Sequence, residues 1–129
     1  MEYVFLLLVM IECHIVDDFR LQGILANMKQ KKFWKENAPD YIYRYDYICA
    51  LFAHSFSWCF SIMLPIFVHM YIAEKSPNIL LFVIFITNVI IHAVVDDLKA
   101  NRHRINLCQD QSIHFIQIVL TWCLYIFVI

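Results

Sequence analysis

Residues 78–95 read Asn-Ile-Leu-Leu-Phe-Val-Ile-Phe-Ile-Thr-Asn-Val-Ile-Ile-His-Ala-Val-Val, an uncharged run that stops at Asp96 and Asp97. A helix crossing a bilayer needs about 20 mostly apolar residues. The apolar residues of this run fall on every face of a helix, so it does not read as an amphipathic surface helix. It reads as a membrane span, and three further apolar segments join it. The four expected spans cover about 3–18, 47–73, 78–98 and 112–129, so residues 1–129 read as one all-α, transmembrane four-helix domain.

The composition agrees. Hydrophobic residues make up 62% of the chain, and only one Gly and three Pro occur, whereas soluble domains lie nearer 45–50% apolar. A soluble or peripheral helical bundle is the alternative architecture, and it leaves the uncharged run before Asp96 unexplained. The start of the chain, Tyr3 to Val16, lacks the positive n-region and small-residue cleavage site of a secretion signal and reads as a retained first span. The five cysteines form no C-x-x-C pair and read as small buried hydrophobes. Net charge is −1 and no basic, aromatic-interleaved run occurs, so nucleic acid is not an expected partner.

Positive charge orients the spans. Arg20, Lys29, Lys31, Lys32, Lys35 and Arg44 lie between spans one and two, and Lys99, Arg102 and Arg104 between three and four. The other side carries only Lys75. By the positive-inside rule the two basic loops are cytoplasmic and both termini extracytoplasmic. Trp34 and Tyr41, Tyr43, Tyr45 and Tyr47 fit a cytoplasmic interfacial belt.

Ionisable residues at membrane depth are costly and mark function. Span one ends with His14 and Asp18, span three with His92 and Asp96, and span four opens with Asp110 and His114. Each pair is spaced i, i+4 and so shares a helix face. Gln22 extends the first face, and Lys99 and His103 the third. Span two adds His54. Alternating helix direction brings His14, Asp18, His54, His92, Asp96, Asp110 and His114 to the cytoplasmic end, whereas His69 lies roughly 22 Å deeper at ~1.5 Å per residue. The halves also repeat weakly, H-x-x-x-D then H against H-x-x-x-D then D-x-x-x-H. Imidazole and carboxylate are the donors of Zn, Mn, Fe or Ni sites, so one or two divalent transition-metal ions are the expected cofactor. A hydrogen-bonded polar cluster that locks the helices together is the bland alternative. A proton or ion path is a weaker one, with only Glu12, Asn88 and His69 as stepping stones.

The ordered set His14-x-x-x-Asp18-Phe19-x-x-Gln22, His54, His92-x-x-x-Asp96-x-x-Lys99 and Asp110-Gln111-x-x-His114 spans nearly the whole chain. It resembles a domain-of-unknown-function family of small bacterial and phage inner-membrane proteins. The resemblance implies a four-helix fold in the bacterial inner membrane and a shared role for these polar positions, but no activity. Asp17 and Asp97 depart from the pattern, as competing ligands or as residues facing the headgroups. A looser likeness, to membrane-bound metal-dependent hydrolases, rests on His/Asp pairs at helix ends.

The chemistry expected from these residues is metal-dependent hydrolysis at the cytoplasmic membrane face. His14, His54, His92 and His114 with Asp18 or Asp96 would hold the metal, and Asp110 would accept a proton from the attacking water. Lys99 would stabilise developing negative charge or hold a phosphate, and Gln22 and Gln111 would orient the ligands. Lys29, Lys31 and Arg44 suit an anionic substrate, although topology already accounts for them. The rival expectation is a non-catalytic, phage-encoded membrane protein that binds a host membrane partner, its metal or polar cluster structural. The bilayer is the partner in either case, with self-association left open.

Overall fold

The apolar run becomes helix α5, Ile79–Ala100, in a computed structural model that describes residues 1–129. The Asn78 side chain accepts a hydrogen bond from the Leu81 backbone N–H and caps its start, satisfying one of the orphan donors every helix N-terminus leaves. The chain is all-helical: α1 Glu2–Val16, a π-helical turn Asp17–Leu21, α2 Leu25–Met28, α3 Lys31–Asn37, a 3₁₀ turn Tyr41–Tyr43, α4 Asp46–Ile72, α5, and α6 Leu107–Val128. Three segments, Tyr41–Ile72, Ile79–Ala100 and Leu107–Val128, are long and apolar enough to cross a membrane. The α-helical part of α1 is 15 residues long, or about 22 Å at ~1.5 Å per residue.

α4 packs against α1 and α5, and α6 packs against both α1 and α5, so these four helices surround a common interior. Along α4, Phe52, Phe56, Phe60, Leu64 and Val68 form an exposed stripe, while His54, Trp58, Ile62, Ile66 and Met70 are buried. Both stripes follow the i, i+4 spacing of a helix face. The same contrast holds on α5, where Phe82, Ile86, Ile90 and Val94 are outside and Asn88, His92 and Asp96 inside. Large apolar side chains outward and ionisable ones inward is the arrangement a lipid surround favours.

Several boundaries differ from the sequence reading. α6 starts at Leu107 rather than near 112, because Asn106 and Gln109 form a reciprocal capping box: each side chain accepts from the other residue's backbone N–H. Asp110 therefore sits in the first turn of a formed helix. The first span changes to a π-helical turn at Asp17 and leads into α2 through Gly23, the chain's one glycine, at φ +51°. Only glycine adopts that backbone freely. His103 does not continue the face of α5. The helix ends at Ala100 and His103 stands beyond it at φ +51°.

Candidate metal centre

The last turns of α1 and α5 and the first turns of α4 and α6 meet at one end of the molecule. His14, His54, His92, Asp96, Asp110 and His114 are each at most 1% exposed, and Asp18 is 8% exposed. The His54 and His92 Nε2 atoms approach to 3.2 Å. Asp18 Oδ1 lies 3.3 Å and Asp96 Oδ2 3.5 Å from His54 Nε2. On the other side, His114 Nε2 is 3.7 Å from Asp96 Oδ1 and 3.6 Å from Asp110 Oδ1. Donors bound at ~2.0–2.2 Å around a tetrahedral ion lie ~3.4 Å apart, close to these separations.

Three overlapping groups have donor atoms within 4.8 Å of one another: Asp18–His54–His92, His92–Asp96–His114 and Asp18–Asp110–His114. Four buried atoms here have no hydrogen-bond partner: His92 Nδ1, Asp96 Oδ1, Asp110 Oδ1 and His114 Nε2. A buried polar group without a partner costs about 1–3 kcal/mol. Three of these atoms, Asp96 Oδ1, Asp110 Oδ1 and His114 Nε2, face one another, as donors facing a shared cation would.

The surrounding side chains fix the orientation of these groups. Gln22 Nε2 donates to Asp18 Oδ1 at 2.6 Å and lies 3.2 Å from His54 Nε2. Gln111 Nε2 donates to Asp18 Oδ2 at 2.7 Å and to Asp110 Oδ2 at 3.0 Å. Both glutamines thus hydrogen-bond to carboxylates of the cluster. Lys99 donates to Asp110 Oδ2, so the two residues given separate catalytic roles by the sequence form one ion pair. That bond leaves Asp110 Oδ1 facing His114.

His14 is where ligand geometry and sequence part. The Trp58 indole N–H donates to His14 Nδ1 at 2.8 Å, and His14 Nε2 meets the Gln111 carbonyl oxygen at 3.1 Å. Since Nδ1 accepts, Nε2 carries the proton and donates. Neither nitrogen offers a free lone pair, and His14 belongs to none of the three ligand groups. Its place is beside these groups, holding Gln111.

Four other residues gain parts the sequence did not suggest. Lys29, 4% exposed, donates from Nζ to Asp96 Oδ2 at 2.6 Å. The Asn101 side chain fastens this segment by donating to the Lys29 carbonyl and accepting from the Lys31 N–H. Trp58 stacks on the His92 ring at 4.1 Å between centroids, and His92 stacks on His114 at the same distance. Asp17 does not face headgroups: it is 1% exposed, and Ser57 and Ser61 donate to its Oδ1 at 2.9 Å. Its Oδ2 lies 4.0 Å from His54 Nδ1, a carboxylate behind the imidazole but beyond hydrogen-bond reach. Asp97 accepts from Arg102 and Asn101 at the helix end.

Away from this end, His114 Nδ1 meets Gln117, Gln117 donates to Asn88, and Asn88 donates to Thr121. His69 stands apart with Tyr125 and Glu2, as the sequence reading required.

A cleft of about 360 Å³ opens beside the centre, with Asp18, Gln22, Lys29, Lys99, His103 and Gln111 on its walls. It brings two ammonium groups to the edge of the ligand cluster. No family model matches this sequence, and neither the curated proteins nor the solved structures include a significant match.

Proposed function

We propose that this chain is a multi-pass protein of the bacterial inner membrane that binds divalent metal at its cytoplasmic face and uses it to hydrolyse an anionic, phosphate-containing substrate. In this reading α1, α4, α5 and α6 form a transmembrane four-helix bundle with both termini extracytoplasmic, as the basic loops require. The suggested kinship with the small bacterial and phage inner-membrane family rests on the same His, Asp, Lys and Gln pattern.

The observation that carries the metal reading is the convergence of three unpartnered buried atoms, Asp96 Oδ1, Asp110 Oδ1 and His114 Nε2. Native interiors leave few polar groups unsatisfied, and a cation would satisfy oxygen and nitrogen lone pairs at once. A metal held there supplies Lewis acidity and lowers the pKa of coordinated water toward neutrality. The protein's own groups then divide the remaining work. A carboxylate of the cluster accepts the proton of the water that attacks phosphorus and returns it to the alcohol oxygen as the ester P–O bond breaks. Lys99, on the cleft wall and 26% exposed beside Asp110, binds the phosphoryl oxygens. Gln22 and Gln111 keep Asp18 and Asp110 aimed inward.

The second reading is a non-catalytic membrane protein, phage-encoded and host-directed, in which the cluster only ties helices together. The Lys29–Asp96 and Lys99–Asp110 ion pairs favour it, since they neutralise two carboxylates without a metal. Hydrolysis of p-nitrophenyl phosphate by detergent-purified protein in Mn²⁺ or Zn²⁺ separates the two. Wild-type turnover, lost in Lys99→Ala at unchanged metal content, supports the enzyme. Metal-loaded wild type without turnover of this or a lipid phosphomonoester refutes it.

A further inference from the structure

The Asp96 carboxylate has a different set of neighbours on each oxygen. Oδ2 faces His54 Nε2 at 3.5 Å and His92 Nε2 at 3.8 Å, while Oδ1 faces His114 Nε2 at 3.7 Å. Asp18 divides in a similar way, belonging with His54 and His92 in one group and with Asp110 and His114 in another. We infer that the centre holds two divalent cations, one on the His54–His92–Asp18 side and one on the His114–Asp110 side, with Asp96 as the bridging carboxylate. This inference rests on the metal-binding half of the function proposed above and goes beyond it in number and arrangement.

The donor count and its spread support two ions over one. Six residues, Asp18, His54, His92, Asp96, Asp110 and His114, are available. A single octahedral ion would need all six donor atoms within about 4.2 Å of one another, twice a metal–ligand bond. Instead they divide into three overlapping groups of three, each pair of groups sharing a single residue. Ions in two-metal sites stand ~3.5–4 Å apart, and a carboxylate giving one oxygen to each is the ligand that such a spacing calls for. Lys29 already holds a positive charge 2.6 Å from Asp96 Oδ2. An ion on the His54 side therefore shares Asp96 Oδ2 with an ammonium group, whereas Oδ1 faces His114 without a hydrogen-bond partner.

Charge sets what a second ion requires. Asp17, Asp18, Asp96 and Asp110 are four carboxylates buried in one helix end, faced by the ammonium groups of Lys29 and Lys99. One divalent ion brings this set to neutrality, and a second leaves it positive, which suits the capture of a phosphate dianion in the adjoining cleft.

The test counts ions. Wild type purified in detergent with excess Mn²⁺, then freed of loose ions, should retain about two per chain by elemental analysis and give an exchange-coupled Mn²⁺ resonance spectrum. His114→Ala should retain about one, with an isolated-ion spectrum, at unchanged helix content. Asp110→Asn, which keeps its size and hydrogen-bonding capacity, should give the same halving if His114→Ala does not fold. One ion or none in wild type, or two without coupling, overturns the inference. One ion with hydrolysis sinks the paired centre and leaves the enzyme standing, whereas two coupled ions without hydrolysis do the reverse.

Discussion

The molecule places histidine among polar partners at both ends, a single one at one end and a cluster at the other, and the two are built differently. At the His69 end every ring nitrogen is matched: Tyr125 meets Nδ1 and Glu2 meets Nε2 at 2.7 Å, with Glu2 itself largely exposed. At the other end four histidines and four aspartates are buried, yet four of their atoms lack partners. A satisfied cluster fastens helices. A buried cluster with converging, unmatched donors has the form of a ligand site. The contrast also exists within the cluster itself, where His14 has both nitrogens matched by Trp58 and Gln111.

Substitutions can break that contrast. The largest effect belongs to Asp96→Ala, which leaves the Lys29 ammonium buried without its counter-ion. Removing one partner of a buried pair costs about 3–5 kcal/mol. Thermal unfolding in detergent, followed by circular dichroism, should show a large drop in Tm, and the added substitution Lys29→Met should recover much of it. If the double variant is no more stable than Asp96→Ala, the pair is not the source of the loss.

Trp58→Phe comes next. It keeps the aromatic stack on His92 but removes the donor to His14 Nδ1, stranding a buried acceptor at about 1–3 kcal/mol. The same unfolding measurement should register this, with metal content unchanged because His14 is outside the ligand groups. Loss of metal in Trp58→Phe would instead make His14 a ligand. His69→Phe should be the mildest. Polar contacts between membrane helices average about 0.6 kcal/mol, so a small Tm decrease and full metal retention are expected. A metal loss here would erase the distinction between the two ends.

Much of this was legible in the sequence, for reasons that differ by residue. The uncharged run ahead of Asp96 made α5 plain, and the i, i+4 spacing of His92 with Asp96 and of Asp110 with His114 set each pair on one face. Helix direction then gathered them at one level, joined by His54 and Asp18. Partnerships made across the fold were not legible. Lys29 sits in a basic loop that the positive-inside rule already explains, and nothing local marks its reach to Asp96. Trp58 read as one apolar residue among many, although it lies one turn beyond His54 on the same face. Ser57 and Ser61, also one turn apart, were a polar pair that could have pointed to Asp17. His14 shows the reverse limit: its spacing matched a ligand pattern, but ring-nitrogen occupancy is decided by neighbours on other helices.

Unmatched donors at this end are proposed to hold metal. The most direct measurement is the transition-metal content of well-folded, detergent-purified wild type beside His92→Ala and Asp96→Ala. Stoichiometric metal is expected in wild type and its loss in the two variants. Folded wild type that retains no metal, even after supplementation with Zn²⁺, Mn²⁺, Fe²⁺ and Ni²⁺, would contradict it.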